Sequence, residues 1–171
     1  MRSLIDYPDA PGIKEDGKSF SENALKKARF YSGLFKTLTI ADDSGLEVNA
    51  LSGQPGIYSA RYAGEGATDR KNKQRLLEQM KGIPTSKRGA QFVCSLAVVS
   101  VEGKEAVVEG TCRGWIGFKE VGKKGFGYDA LFVLPRFGKT MAQLGLADKD
   151  RISHRGKALR KMRKVIRDFK N

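Results

Sequence analysis

The sequence predicts one mixed α/β domain, and three observations carry that prediction. Stretches with apolar residues at helical spacing are interleaved with stretches whose apolar residues alternate as in strands. Glycine-rich loops separate them, and no repeat, low-complexity tract or linker interrupts the 171 residues. That length suits a single unit, residues 1–171, with a core of its own.

Residues 1–18 read as irregular, with turn signals at Asp6-Tyr7-Pro8-Asp9 and Glu15-Asp16-Gly17. Ser19 with Glu22 three residues later has capping-box spacing and opens a helix. Phe20, Ala24, Leu25 and Ala28 form its stripe and Gly33 ends it. Leu38 and Ile40 alternate into a short strand. Ala41-Asp42-Asp43-Ser44-Gly45 is expected to stop it as a turn before Leu46 and Val48 resume. A glycine-rich loop spans 53–66, and Thr68 or Asp69 caps a helix running to Lys81. Residues 91–101 read as a strand, with Phe92, Cys94, Leu96 and Val98 on one face. Residues 106–118 read as its hairpin partner, interrupted by Gly110 and Gly114. A second glycine-rich loop, 122–127, runs into Tyr128-Asp129, and Leu131-Phe132-Val133 is a short apolar run. A last helix starts near Arg155, with Leu159, Met162, Ile166 and Phe169 as its stripe.

The formal net charge of +13 predicts attraction to polyanions: nucleoside triphosphates, nucleic acid or an anionic surface. Between Arg155 and Lys170 eight Lys or Arg face one acid, Asp168, which is either a nucleic-acid-facing helix or a solvated basic face. Cys94 and Cys112 fall in strand-like runs and are expected to be buried thiols in a reducing, cytoplasmic setting. A zinc site is not expected from one histidine and two scattered cysteines, whereas a divalent ion on carboxylates is open. No apolar run reaches the length of a membrane span.

Four stretches could carry chemistry. Asp42-Asp43-Ser44-Gly45 offers adjacent carboxylates that point to opposite sides of an extended chain, so one can face a site to hold Mg²⁺ or position water. Phe126-Gly127-Tyr128-Asp129 joins aromatics that could stack on a base to an acid that could accept from ring N–H groups, against the plainer alternative of core packing. Ile152-Ser153-His154-Arg155 carries the only histidine. Ser153 can be a helix cap, or Ser153, His154, Arg155 and Lys149 can be donors favouring 6-keto purines over adenine. Lys27 is a candidate phosphate contact and Glu15 a second candidate metal ligand.

In order along the chain stand Ser19-Phe20-Ser21-Glu22-Asn23-Ala24 with Lys27-Ala28, Ala41-Asp42-Asp43-Ser44-Gly45-Leu46, and Gly53-Gln54-Pro55-Gly56-Ile57-Tyr58-Ser59-Ala60-Arg61-Tyr62. They are followed by Gly125-Phe126-Gly127-Tyr128-Asp129, Gly138-Lys139-Thr140, and residues 152–159. Together they resemble the inosine triphosphate pyrophosphatase, or Ham1-like, family. The resemblance implies a two-lobed α/β fold with a long mixed twisted sheet flanked by helices, a cleft between lobes, and a homodimer. It also implies Mg²⁺-dependent hydrolysis of dITP, ITP or XTP between the α and β phosphates. Asp43 matches the catalytic, metal-holding acid, Glu15 another metal-linked carboxylate, and Lys27 the phosphate-contacting lysine. Ser44 and Gly127 fall in the same motifs. Phe126 matches the stacking aromatic, with Tyr128 and Asp129 beside it, and Lys149, Ser153, His154 and Arg155 match the base-reading group.

Two departures accompany the resemblance. The family begins with a strand and an Asn-x-x-Lys phosphate loop, whereas Met1-Arg2-Ser3-Leu4-Ile5 leads directly toward Glu15, so one βα unit is expected to be missing. Gln143 stands where the family pattern has Glu. The alternative these departures leave is a catalytically weak nucleotide- or nucleic-acid-binding homologue.

Overall fold

The computed structural model describes residues 2–169; Lys170, counted above in the basic C-terminal run, lies outside them. Among the described residues, and apart from short 3-10 turns, the α-helices and strands follow in the order α1 (Phe20–Phe35), β1 (Thr39–Val48), α2 (Asp69–Gln79), β2 (Gly89–Val99), β3 (Glu105–Ile116), β4 (Phe132–Leu134), β5 (Lys139–Thr140), α3 (Leu146–Ile152) and α4 (His154–Asp168). The strands form one sheet ordered β1-β2-β3-β4-β5. The α/β class and the helix-flanked sheet expected from the sequence hold, with one refinement: all four pairings are antiparallel. No helix among the described residues is long and apolar enough to cross a membrane.

Strand alternation explains how the sheet is covered. On one face Ala41, Ala97 and Val99 pack against Ala24, Leu25 and Ala28 of α1. On the other, Cys94, Leu96 and Val98 pack against Ala158, Met162 and Ile166 of α4. Farther along, Leu46, Val48, Phe92, Ile116 and Phe132 join Leu76 and Met80, in and just beyond α2, in a larger core. Two lobes result: a sandwich of α1, sheet and α4, and a second body built around α2 and the β4–β5 hairpin. The middle of β1 lies between them, since its Ala41 belongs to the first packing cluster and Leu46 to the second.

Several expectations need correction. Asp42-Asp43-Ser44-Gly45 is not a turn but the middle of one continuous strand, paired from Thr39↔Val99 to Val48↔Ala90. Gly45 is there for closeness rather than for chain reversal. A Cβ at that position would come within 2.5 Å of the Gly56 carbonyl oxygen and of Ser59 Oγ, and within 2.7 Å of Phe20. Gly110 and Gly114 likewise do not interrupt β3; a side chain at Gly110 would strike the backbone of α4. Leu159 lies outward and exposed, and Ala158 takes its place on the buried stripe because α4 crosses closely at Gly110. The short helix α3 and strand β5 carry no periodic signal of their own and emerge only from the surrounding fold.

Gln143 has a visible task. Its side-chain carbonyl accepts from Thr140 N at 2.9 Å, closing a capping box over the turn Met141–Gln143. An amide oxygen serves that bond as a carboxylate would. Both cysteines are free and buried, as expected from their place in strands.

Candidate active site

Asp43 projects from β1 toward α1. Asn23 Nδ2 donates to its Oδ2 at 3.0 Å, and Lys27 Nζ stands 3.5 Å from its Oδ1. Lys27 also donates to Glu15 Oε1 at 2.9 Å, so one ammonium links both carboxylates. Asn23 and Lys27 share a helix face because they are four residues apart. Ser19 caps α1 by accepting from Glu22 N at 3.2 Å, which sets where that face begins. Burial pushes the Asp43 carboxyl above the usual carboxylate range, and Glu15 adds to this while Asn23 and Lys27 oppose it. The result is a sheltered carboxylate held by donors and poised to accept a proton.

Asp42, one residue earlier, points to the opposite face. Its Oδ2 accepts from Ser44 Oγ at 3.1 Å and from Arg155 Nε at 3.2 Å, with Arg155 Nη2 also 3.2 Å away. The Arg155 guanidinium lies 5.3 Å from the centre of the Phe126 ring. Phe126 is 68% exposed, an unusual state for an aromatic and one that leaves ring surface open for stacking. Tyr128 behaves otherwise: it is buried and donates its hydroxyl to the Ser59 carbonyl at 2.9 Å. Core packing therefore describes Tyr128 and not Phe126.

The loop around Phe126 is shaped by polar contacts. Gly127 N donates to Asp69 Oδ2 at 2.6 Å. Lys149 Nζ donates to Asp129 Oδ2 at 2.7 Å, with both side chains 15% exposed. Gly125 has φ +89°, and a Cβ there would strike this pair, so both conformation and space require glycine.

The Ser-His-Arg stretch divides into three roles. Ser153 is the N-cap of α4, accepting from Gly156 N at 3.1 Å. His154 is buried and stacks on Phe92 with ring centres 4.8 Å apart. Its Nδ1 has no partner. Burial, reinforced by the charge of Arg155, lowers its pKa to about 4, so the imidazole is neutral near pH 7. Arg155 reaches back to Asp42. The predicted residues thus gather on two faces of β1: Asp43, Lys27 and Glu15 on one, Ser44, Arg155 and Phe126 on the other. Contacts tie Lys149 to Asp129 near that second set, while Ser153 and Tyr128 have structural bonds.

Comparison with known proteins fits this arrangement. The Ham1 family model matches residues 1–165. The chain belongs to the Ham1 family. It is 51% identical over 162 residues, 95% of this chain and 79% of the other, to a dITP/XTP pyrophosphatase of Geobacillus kaustophilus. It is 47% identical to one of Shouchella clausii, covering 97% and 84% of the two chains. Among solved structures, the Staphylococcus aureus Ham1 protein superimposes with a TM-score of 0.88 at 41% identity, covering 96% of this chain and 84% of that one.

In this Ham1 chain three further residues contribute to the site. Asn23 is buried in α1 and is oriented by accepting from Gly17 N at 2.8 Å, which turns its amide donor toward Asp43. A buried Asn in a helix is the signal that could have flagged it. Arg61 donates to the Glu15 carbonyl at 3.0 Å and so holds that segment. Asp69 serves twice, at the start of α2 and as acceptor for Gly127 N, which only the tertiary fold reveals.

Proposed function

We propose that the protein hydrolyses non-standard purine nucleoside triphosphates such as dITP, ITP and XTP, releasing the monophosphate and pyrophosphate. The observation that carries this reading is the one-residue separation on β1 between two chemically different sets. Asp43 sits with Lys27 and Glu15, and Asp42 leads through Arg155 to an exposed Phe126. The relatives' names supply the substrate class.

The reaction adds water across the α–β anhydride. Asp43, with its raised affinity for a proton, accepts one from the water. Lys27 offsets negative charge on the phosphates beside it. Phe126 offers a stacking surface for the purine, and the neutral imidazole of His154 can present an N–H to a 6-keto oxygen. A keto group at that position satisfies donors that the amino group of adenine would leave unpaired.

Magnesium fits the residues present. No group of three or more His, Cys, Asp or Glu close enough to hold a metal occurs among the described residues. Magnesium, however, is commonly held by one or two carboxylates together with substrate phosphates and water. Asp43 and Glu15, already drawn together by Lys27, are such a pair. When bound there the ion would supply charge neutralisation for the triphosphate.

A homodimer in the cytoplasm completes the reading. Exposed Phe30 and Leu34, one turn apart on α1, offer apolar surface for a second copy. The test is pyrophosphate release from dITP, XTP, dGTP and ATP with Mg²⁺. Faster turnover of dITP and XTP is the expected result; equal rates on all four, or release of orthophosphate alone, would refute the reading.

A further inference from the structure

We propose that Asp42 is a positioning residue for base recognition, acting through Arg155 and not in the chemistry of its neighbour Asp43. The inference rests on the proposed triphosphate hydrolysis. The geometry shows a single carboxylate oxygen, Oδ2, accepting from Ser44 Oγ and lying 3.2 Å from both Nε and Nη2 of Arg155. Two of the guanidinium nitrogens are thereby committed to Asp42, which leaves Nη1 available to a ligand. With the guanidinium over the Phe126 ring, 5.3 Å from its centre, that remaining donor is held beside the exposed aromatic.

Three elements converge on this contact. β1 supplies Asp42 and Ser44, α4 supplies Arg155 from its first turn, and the 122–129 loop supplies Phe126. Arg155 has a long side chain with many rotamers, and freezing it in the free protein reduces the ordering cost that a ligand would otherwise meet. The Ser44 hydroxyl in turn limits how Asp42 can rotate. Asp42 also places a negative charge beside Arg155, moderating the repulsion between that cation and any proton on His154. On β1, Asp42 faces Leu96 and Ser44 faces Cys94 across the pair with β2, so the contact is on the α4 side. Asp43 faces the α1 side with Asn23 and Lys27.

This division has a kinetic signature. Asp42→Asn removes the charge, and Asp42→Glu restores it with a longer stem. The pair is partly exposed, with side chains 42% and 41% accessible, so a shift of about three- to fivefold is the scale to expect. Steady-state kinetics with dITP should show Asp42→Asn raising KM by that factor with kcat nearly unchanged, and Asp42→Glu recovering part of it. In equilibrium titrations IMP should bind the Asn variant more weakly by the same factor, while inorganic pyrophosphate, which has no base, should bind equally. Melting curves confirm that each variant is folded, and Ser44→Ala, which frees Asp42 to rotate, should reproduce a smaller version of the effect.

A fall in kcat at constant KM, an equal loss of pyrophosphate binding, or an unchanged affinity for IMP would overturn the proposal. If the unmodified chain turned over no triphosphate, the proposed hydrolysis would fail, and the IMP and pyrophosphate titrations would still decide the role of Asp42.

Discussion

The two faces of β1 at Asp42 and Asp43 make an instructive contrast. On the α1 face a carboxylate is sheltered among an ammonium, an amide and a second carboxylate. On the α4 face the carboxylate is nearly half exposed, and its partner guanidinium lies against an open aromatic ring. The first environment perturbs proton affinity and suits charge chemistry. The second presents a flat apolar surface edged by donors and suits recognition of a planar heterocycle. Alternation along a strand is what lets consecutive residues serve such different settings.

Breaking the α1 face should have the largest effect. Asp43→Asn keeps the shape and can still interact with Asn23, but it cannot accept a proton. The turnover of dITP should fall by about 10² to 10⁴, the range typical of losing a positioned base, as read from initial rates of pyrophosphate release. An undiminished rate would remove Asp43 from the chemistry.

The α4 face carries a titrating group whose effect is on stability. His154 is lowered from 6.5 to about 4 by burial and by Arg155. The unfolded chain therefore takes up its proton first as the pH falls. The stability tied to a neutral His154 is complete above pH 6.5 and is lost progressively down to about 4, in total about 3 kcal/mol. Urea unfolding across that window should show a loss that is smaller in His154→Gln. Identical pH dependence in the two proteins would contradict a buried neutral imidazole.

The smallest effect is expected from the outer surface of α4. Arg160 is not simply solvated: it donates to the carbonyls of Asp150 at 2.8 Å and Arg151 at 2.7 Å, holding the end of α3. Arg163 and Lys164 are exposed, and reversing both to Glu should leave dITP turnover within about twofold, since exposed charges act weakly at a distance. A large fall would make the basic helix part of the nucleotide site.

Much of this was legible in the sequence because the periodic segments are long. The capped α1, the β2–β3 hairpin and α4 follow directly from their patterns. The motif around Asp43 is legible as a site, but its composition favours a turn where the structure has a strand. Asp, Ser and Gly have turn propensity, and only the proximity of Gly56, Ser59 and Phe20 shows why a strand needs Gly45. Tyr128 and Phe126, two residues apart in one loop, could not be told apart by composition. The partner of the Tyr128 hydroxyl, the Ser59 carbonyl, is 69 residues away. The roles of Asn23 and Asp42 depend on contacts across 20 and 113 residues, and local patterns do not encode them.

The division between the two faces is tested most directly by the ratio of kcat/KM for dITP to that for ATP, measured in Asp43→Asn and in His154→Gln. Loss of Asp43 should depress both nucleotides together and leave the ratio unchanged. Loss of His154 should lower the ratio by about tenfold, the scale for a hydrogen bond used in discrimination. A ratio that changes with Asp43, or one that survives replacement of His154, would contradict the assignment of chemistry to one face of β1 and base selection to the other.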